Sequence, residues 1–309
     1  MSLASKSRSS AGFALSIVLW IVAALLLGIA FIMSTSKENV AITKALDVKL
    51  KTRLEAESLV EILKYAMLTS DYDSRSIYIK ENLPYNFPKH LILDGREYKF
   101  NKDITLTLRD TSSMLSVFHP NFDLIALFAT DDRELSYSIR DSIWDWIDAD
   151  NSVRLNGAEE AFYRFNRSAN FGPRNYSAVE SVDELRLIKG VYDLSEAEWD
   201  ALRPYLYSDN QTSLNLALLK REYLQKILKL DDSQGRLLQE YRDSDMKKFY
   251  TLVNANKNFN NEVMNFSLSF LIDIHLHVKK SLAATKLHTL MGFKSRKIKQ
   301  ISVKKFEVY

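Results

Sequence analysis

Residues Phe13 to Met33 read FALSIVLWIVAALLLGIAFIM, and no charged side chain occurs between Arg8 and Lys37. A helix needs about 20 apolar residues to cross a bilayer core of roughly 30 Å. The stretch meets that requirement, so the sequence predicts a membrane-spanning helix over residues 13–34. Lys6 and Arg8 precede it without an acidic neighbour. That asymmetry favours a cytoplasmic N-terminus, with the rest of the chain on the far side. A cleaved secretory signal is the competing reading. The apolar run exceeds an h-region of about 7–15 residues, however, and no A-x-A site follows it.

Beyond the span the chain of 309 residues is long enough for one large domain or two ordinary ones. Its net charge of +3 is too small to imply nucleic acid by itself. There is no cysteine, which excludes disulfides, thiolate-bound zinc and iron–sulfur clusters. The eight glycines form neither a phosphate-cradling loop nor a G-x-S-x-G turn. No nucleophile stands beside a histidine in a recognisable motif, and no carboxylate pair is set up as acid and base. The composition therefore leads to a protein that is not an enzyme.

Helical periodicity continues past the membrane face. Ile42, Leu46, Leu50 and Leu54 recur every four residues, and Leu59, Ile62, Leu63 and Met67 extend the row on an otherwise charged segment. The pattern predicts one helix from about Gly12 to Ser70, on the order of 90 Å long. Its outer part, Leu46–Met67, is expected to dock on a globular domain. Apolar and polar residues alternate over Asp103–Asp110 and over Phe270–Lys279, as in half-buried strands. Further strands are predicted over Ala283–Met291 and Ile301–Tyr309. The middle, roughly 120 to 260, reads as helical. A helical block between strands of one sheet is an insertion into an α+β domain.

Gly12-Phe13 before a long membrane helix resembles a type IV prepilin leader. The resemblance implies that a prepilin peptidase cuts after Gly12 and methylates Phe13. Pilins of this class carry glutamate at the fifth mature position, where this chain has Ile17. A carboxylate inside a bilayer is costly and is kept only for a partner; in the family that partner is the amine of the preceding subunit. Ile17 thus points to a subunit with no predecessor. The alternative is that Ile17 merely faces lipid.

Further motifs narrow the resemblance. DSIWDWIDAD (141–150), NGAEE (156–160) and Tyr163 are similar to the D-W-I-D-A-D … G-A-E-D-x-Y signature of the general secretion pathway protein K family, the large minor pseudopilins of type II secretion. The likeness continues in PRN (173–175), SVDELRLIKGV (181–191) and LRPY (202–205). At TSLNL (212–216) the family's asparagine pair is reduced to Asn215. The resemblance implies a type IV pilin-like fold, a long N-terminal helix packed on an antiparallel sheet, with an inserted all-α domain. The expected organisation is a leader at 1–12, a span at 13–34, a pilin-like domain at 35–119 and 213–309, and the helical insertion at 120–212.

Several side-chain clusters could carry chemistry. Asp145, Asp148, Asp150, Asn151, Glu159 and Glu160 form the densest oxygen cluster, and Asp148, Asp150 and Glu159 could converge on a hard cation such as calcium. Helix capping and turn formation account for the same residues without an ion. The resemblance adds calcium in the pseudopilin head; no cofactor is otherwise required. His275 and His277 lie two apart on one strand face, where zinc would need a third ligand that the sequence does not place beside them. Ser181–Leu206 resembles a helix-hairpin-helix, yet its turn has one glycine and acidic neighbours that repel phosphate. The basic residues Lys294, Arg296, Lys297, Lys299, Lys304 and Lys305 could meet an acidic partner or lipid headgroups, though a solvated strand edge protected by lysine accounts for them more simply.

The expected function is that of a minor pseudopilin at the tip of a type II secretion pseudopilus, which nucleates assembly for the export of folded proteins across the outer membrane. Other minor pseudopilins, the prepilin peptidase and the inner-membrane secretion platform are the expected partners, and nucleic acid is not. The chain is expected to be single-pass in the inner membrane, with its bulk in the periplasm. Two alternatives stand beside this: a tip minor pilin or adhesin of a type IV pilus, and a membrane-anchored helix-hairpin-helix DNA-binding protein.

Overall fold

A computed structural model describes residues 10–118, 122–166, 171–173, 178–208, 213–294 and 300–308. The leader expected at 1–12 falls almost wholly outside these residues, as do Arg174, Asn175, Thr212, Arg296, Lys297 and Lys299.

Helix α1 (Ser10–Thr69) runs for 60 residues without a break. Its first half is long and apolar enough to cross a membrane. The described side chains from Phe13 to Met33 are exposed, and no other described residue covers them. Such a helix satisfies its own backbone hydrogen bonds, which lipid requires. The second half docks through Thr52, Ala56, Leu59, Val60, Leu63, Ala66 and Met67. Leu59, Leu63 and Met67 are buried as the expected docking row has them, but its first part is not. Leu46, Leu50 and Leu54 are 62%, 56% and 55% exposed. At 3.6 residues per turn Leu50 and Leu54 lie opposite Thr52 and Ala56, so a single sheet cannot cover both rows.

The sheet has five antiparallel strands: β1 (Asp94–Lys99), β2 (Ile104–Asp110), β3 (Leu271–Lys280), β4 (Ala283–Lys294) and β5 (Gln300–Val308). Their spatial order is β5-β4-β3-β2-β1. Ile104, Leu106 and Leu108 of β2 and Ile272, Ile274, Leu276 and Val278 of β3 point to the face under α1 and are buried. The alternate positions, Thr107, Arg109, Asp273 and His275 among them, point the other way. On the α1 side the Thr52 and Thr285 hydroxyls share a buried hydrogen bond of 2.8 Å.

The chain leaves the sheet after β2 and returns at β3, its antiparallel neighbour. Asp110 closes the junction. One of its buried oxygens accepts from the backbone and hydroxyl of Ser112 (2.9 and 2.5 Å) and of Ser269 (2.9 and 2.7 Å). The excursion holds α2 (Phe122–Ala129), α3 (Arg133–Ile147), α4 (Glu160–Asn166), α5 (Glu196–Leu202), α6 (Arg221–Leu228), α7 (Asp232–Ser244) and α8 (Met246–Asn254). Two short parallel pairings, Leu115–Ser116 with Leu206–Tyr207 and Leu214–Asn215 with Met264–Asn265, align its outgoing and returning chain.

Local chemistry starts these helices. Asp132 caps α3, and capping boxes formed by Ser195 with Glu198 and by Asp231 with Gln234 open α5 and α7. One apolar core, built on Phe122, Trp146, Tyr163 and Phe249, runs from Leu115 to Met264. Helices α6 to α8 share it with α2 to α5, so the expected domain edge at residue 212 falls inside a continuous core. Arg75 with Asp243 (2.9 Å), and the Asn215 amide donating to the Ser74 carbonyl (2.7 Å), fasten the block to the loop after α1.

Candidate functional site

The densest charge constellation lies where α3 ends. Helical spacing puts Asp141, Asp145 and Asp148 on adjacent turns facing the loop 149–159. Asp141 is buried and accepts from the Arg140 guanidinium (2.8 and 2.9 Å) and the Asn156 amide (3.0 Å). Burial alone would raise its carboxyl, but these donors hold it below the usual carboxylate range. Asp145 is fully buried and accepts from the Arg154 guanidinium at 2.7 Å and from the Arg154 backbone at 3.1 Å. The same guanidinium also donates to Asp148. Gly157 passes so close that a Cβ there would lie 1.9 Å from an Asp145 oxygen. Glycine is therefore required to bring this loop onto α3.

Glu159 sits beside these carboxylates, 3% exposed, with neither oxygen hydrogen-bonded. Burial, and then the negative charges of Asp145, Asp148 and Asp150, push its pKa up to about 7. One Asp148 oxygen is also buried and unpartnered. Of the three expected ligands, Asp148 and Glu159 thus present orphaned oxygens. Asp150 is exposed and accepts from the Ser152 backbone at 2.7 Å, which lowers its pKa. Glu160 points away to Arg164, at 2.6 Å. A buried carboxylate without a donor is a fit for a hard cation, while Arg154 supplies part of the neutralising charge from within the chain.

The outer face of the sheet carries a second cluster. Asp273 and His275 on β3 and His288 on β4 bring ligand-type atoms within 4.8 Å of one another. His288 is the directly opposed partner of His275, which is why a search along one strand misses it. His277 pairs with Lys286 instead and stays outside the group. Burial would raise the Asp273 carboxyl, but hydrogen bonds and charge from His275 and His288 hold it well below the usual carboxylate range.

The hairpin at 181–206 is built around a 3-10 turn (Asp183–Leu187) and α5. Gly190 adopts φ +84°, and a Cβ there would lie 2.8 Å from the Ile139 nitrogen, so the turn is pressed on α3. Its N–H donates to Asp193, and Lys189 donates to the carbonyls of Asn156 and Gly157. These donors are used inside the fold, not offered to a phosphate backbone.

At the other end of the molecule, Phe13 is 71% and Ile17 45% exposed in the first turns of α1. Gly12 lies in the same helix.

Residues 123–208 match the model of a family described as type II secretion system (T2SS), protein K. The fold is similar to that of a chain of the GspK-GspI-GspJ complex from the type 2 secretion system of enterotoxigenic Escherichia coli. The TM-score is 0.50 at 17% identity, over 89% of this chain and 99% of that one. At that identity the likeness is one of fold: a pilin-like α+β domain with additional helices. No curated protein matches the sequence.

Proposed function

We propose that this chain, whose residues 123–208 match the type II secretion system protein K model, belongs to that family and is the minor pseudopilin at the tip of a pseudopilus. In this reading it is a structural subunit that nucleates the filament with other minor pseudopilins, so that growth drives folded proteins across the outer membrane. The similar solved chain comes from a complex of GspK, GspI and GspJ, and the corresponding subunits are the partners proposed here.

The observation that carries the reading is the bare face of α1. Apolar side chains surround the helix from Phe13 to Met33, and the exposed row Ile42, Leu46, Leu50 and Leu54 continues outside the bilayer. Large exposed apolar surface rimmed by charge marks an interaction site. In the membrane it stores the subunit; in a filament it packs against partner helices. Ile17 brings no carboxylate into that packing, so this subunit needs no predecessor's amine. The helical block, on the same reasoning, has room at a filament end and would clash in its shaft.

Processing follows from the same proposal. The prepilin peptidase cuts after Gly12 and methylates Phe13, and the inner-membrane platform extracts the mature chain. The N-terminus lies in the cytoplasm and the bulk in the periplasm. Asp148 and Glu159 are the residues proposed to hold calcium, which would supply the positive charge that Glu159 lacks and fix the loop 149–159 to α3.

N-terminal sequencing of the mature protein tests this. The expected first residue is methylated Phe13, and a Gly12→Glu variant should keep the mobility of the precursor. A mature chain that begins at Met1, or a variant indistinguishable from wild type, contradicts the proposal.

A further inference from the structure

We propose that Asp273, His275 and His288 form a binding site for a zinc-class divalent transition-metal ion on the outer face of the sheet. Asp273 and His275 are two apart on β3, so their side chains share a face. His288 stands directly opposite His275 on β4. Two ligands at i and i+2 and a third from the neighbouring strand converge on one point without help from a loop. The backbone beneath them is the middle of a five-stranded sheet, which is a rigid support.

The three side chains already meet, through hydrogen bonds from both imidazoles to Asp273. His275 Nε2 lies 3.0 Å and His288 Nε2 2.5 Å from the two Asp273 oxygens. Tetrahedral zinc with bonds of about 2.0–2.2 Å holds its ligands roughly 3.4 Å apart. The two imidazoles stack at 4.2 Å between centroids and 6° between planes, with both Nε2 atoms turned to the same carboxylate. To take up an ion the donors would open from these hydrogen-bonded separations to the ligand spacing, by rotation about their side-chain torsions.

His288 has a second carboxylate behind it. Its Nε2 faces Asp273, and its Nδ1 lies 3.6 Å from Glu307 Oε2 on β5. A neutral imidazole has one N–H and one lone pair. A metal ion on Nε2 would leave the proton on Nδ1, facing Glu307. A histidine ligand whose other nitrogen faces a carboxylate is the usual outer-shell arrangement of a protein metal site. Neutral imidazole and carboxylate donors favour zinc and its first-row neighbours over calcium, which takes oxygen ligands alone.

The ion's remaining position opens into the groove between the sheet and the helical block, where Arg203, Tyr207 and Ser208 form the opposite wall. Water or a donor from a partner can complete the coordination there. The site lies apart from the acidic cluster at the end of α3, and the two differ in ligand chemistry.

The test uses the tag-free, full-length chain in detergent, stripped with chelator and titrated with Zn²⁺ and with Co²⁺. One ion per chain is expected, with a visible Co²⁺ absorption spectrum that millimolar calcium does not displace. His275→Ala and His288→Ala should each abolish the spectrum, His277→Ala should leave it intact, and Glu307→Gln should weaken binding about 10-fold. His275 is more than half exposed, so its variant is expected to fold, which circular dichroism verifies. No saturable uptake by wild type overturns the proposal. So does uptake unchanged in the folded His275→Ala variant.

Discussion

Glu159 is the residue whose environment most departs from what its neighbours in sequence suggest. It belongs to an acidic stretch that reads as solvated, yet it is buried without a donor, and its pKa rises from 4.5 to about 7. Between those values the folded chain binds more protons than the unfolded one. The contribution of Glu159 to stability is therefore intact below about pH 4.5 and is lost as pH rises toward 7. The loss is on the order of 3 kcal/mol at most, at about 1.4 kcal/mol per unit. Denaturant melts of wild type and Glu159→Gln across this range should diverge with rising pH, the variant being the more stable above pH 7. Calcium should close the gap if it binds there, because it favours the ionised form. Glu159 was legible in the sequence as a candidate; its isolation from donors was not. That isolation arises because Arg154 turns to Asp145 and Asp148, and nothing in the spacing of the acidic residues predicts which carboxylates an arginine will choose. The histidine triad shows the same limit: His275 stands out as one of two histidines on a strand face, while His288 enters only through the pairing register of β3 with β4.

Among elements, α1 separates what periodicity can and cannot decide. Its existence, length and two-part character follow from residues 13–70 alone, because lipid and sheet both demand apolar side chains. Which row faces the sheet does not, since the Leu46–Leu50–Leu54 row and the Thr52–Ala56–Leu59 row both satisfy a helical spacing. The smaller residues of the second row allow the close approach to β4 sealed by Thr52 and Thr285. The two rows should respond differently to substitution. Leu59→Ala removes a fully buried side chain and should cost about 2–5 kcal/mol in an unfolding experiment. Leu50→Glu should leave the melt of the isolated chain within about 0.5 kcal/mol and abolish co-purification with partner pseudopilins. Helix α2, FDLIALFA, falls inside the stretch read as helical, but its own bounds carried no signal, for a related reason. Phe122, Ile125, Ala126, Phe128 and Ala129 are buried, and a helix apolar on nearly every side carries no amphipathic signal.

At the scale of the molecule, an antiparallel sheet is interrupted after β2 by a helical block and resumed at β3, and it packs on one half of a helix whose other half is left uncovered by the described residues. The order of elements was readable, because strands of period two flank a region of period 3.6. The continuity of the helical core through Met264 was not, because it depends on how α6 to α8 fold back on α2 to α5. The central claim is that this chain begins a filament and is never added to one. Gold-labelled antibody against the helical block, applied to pseudopili assembled with the full set of pseudopilins, measures that directly. The account predicts label at one end of each filament only; label repeated along the shaft would contradict it.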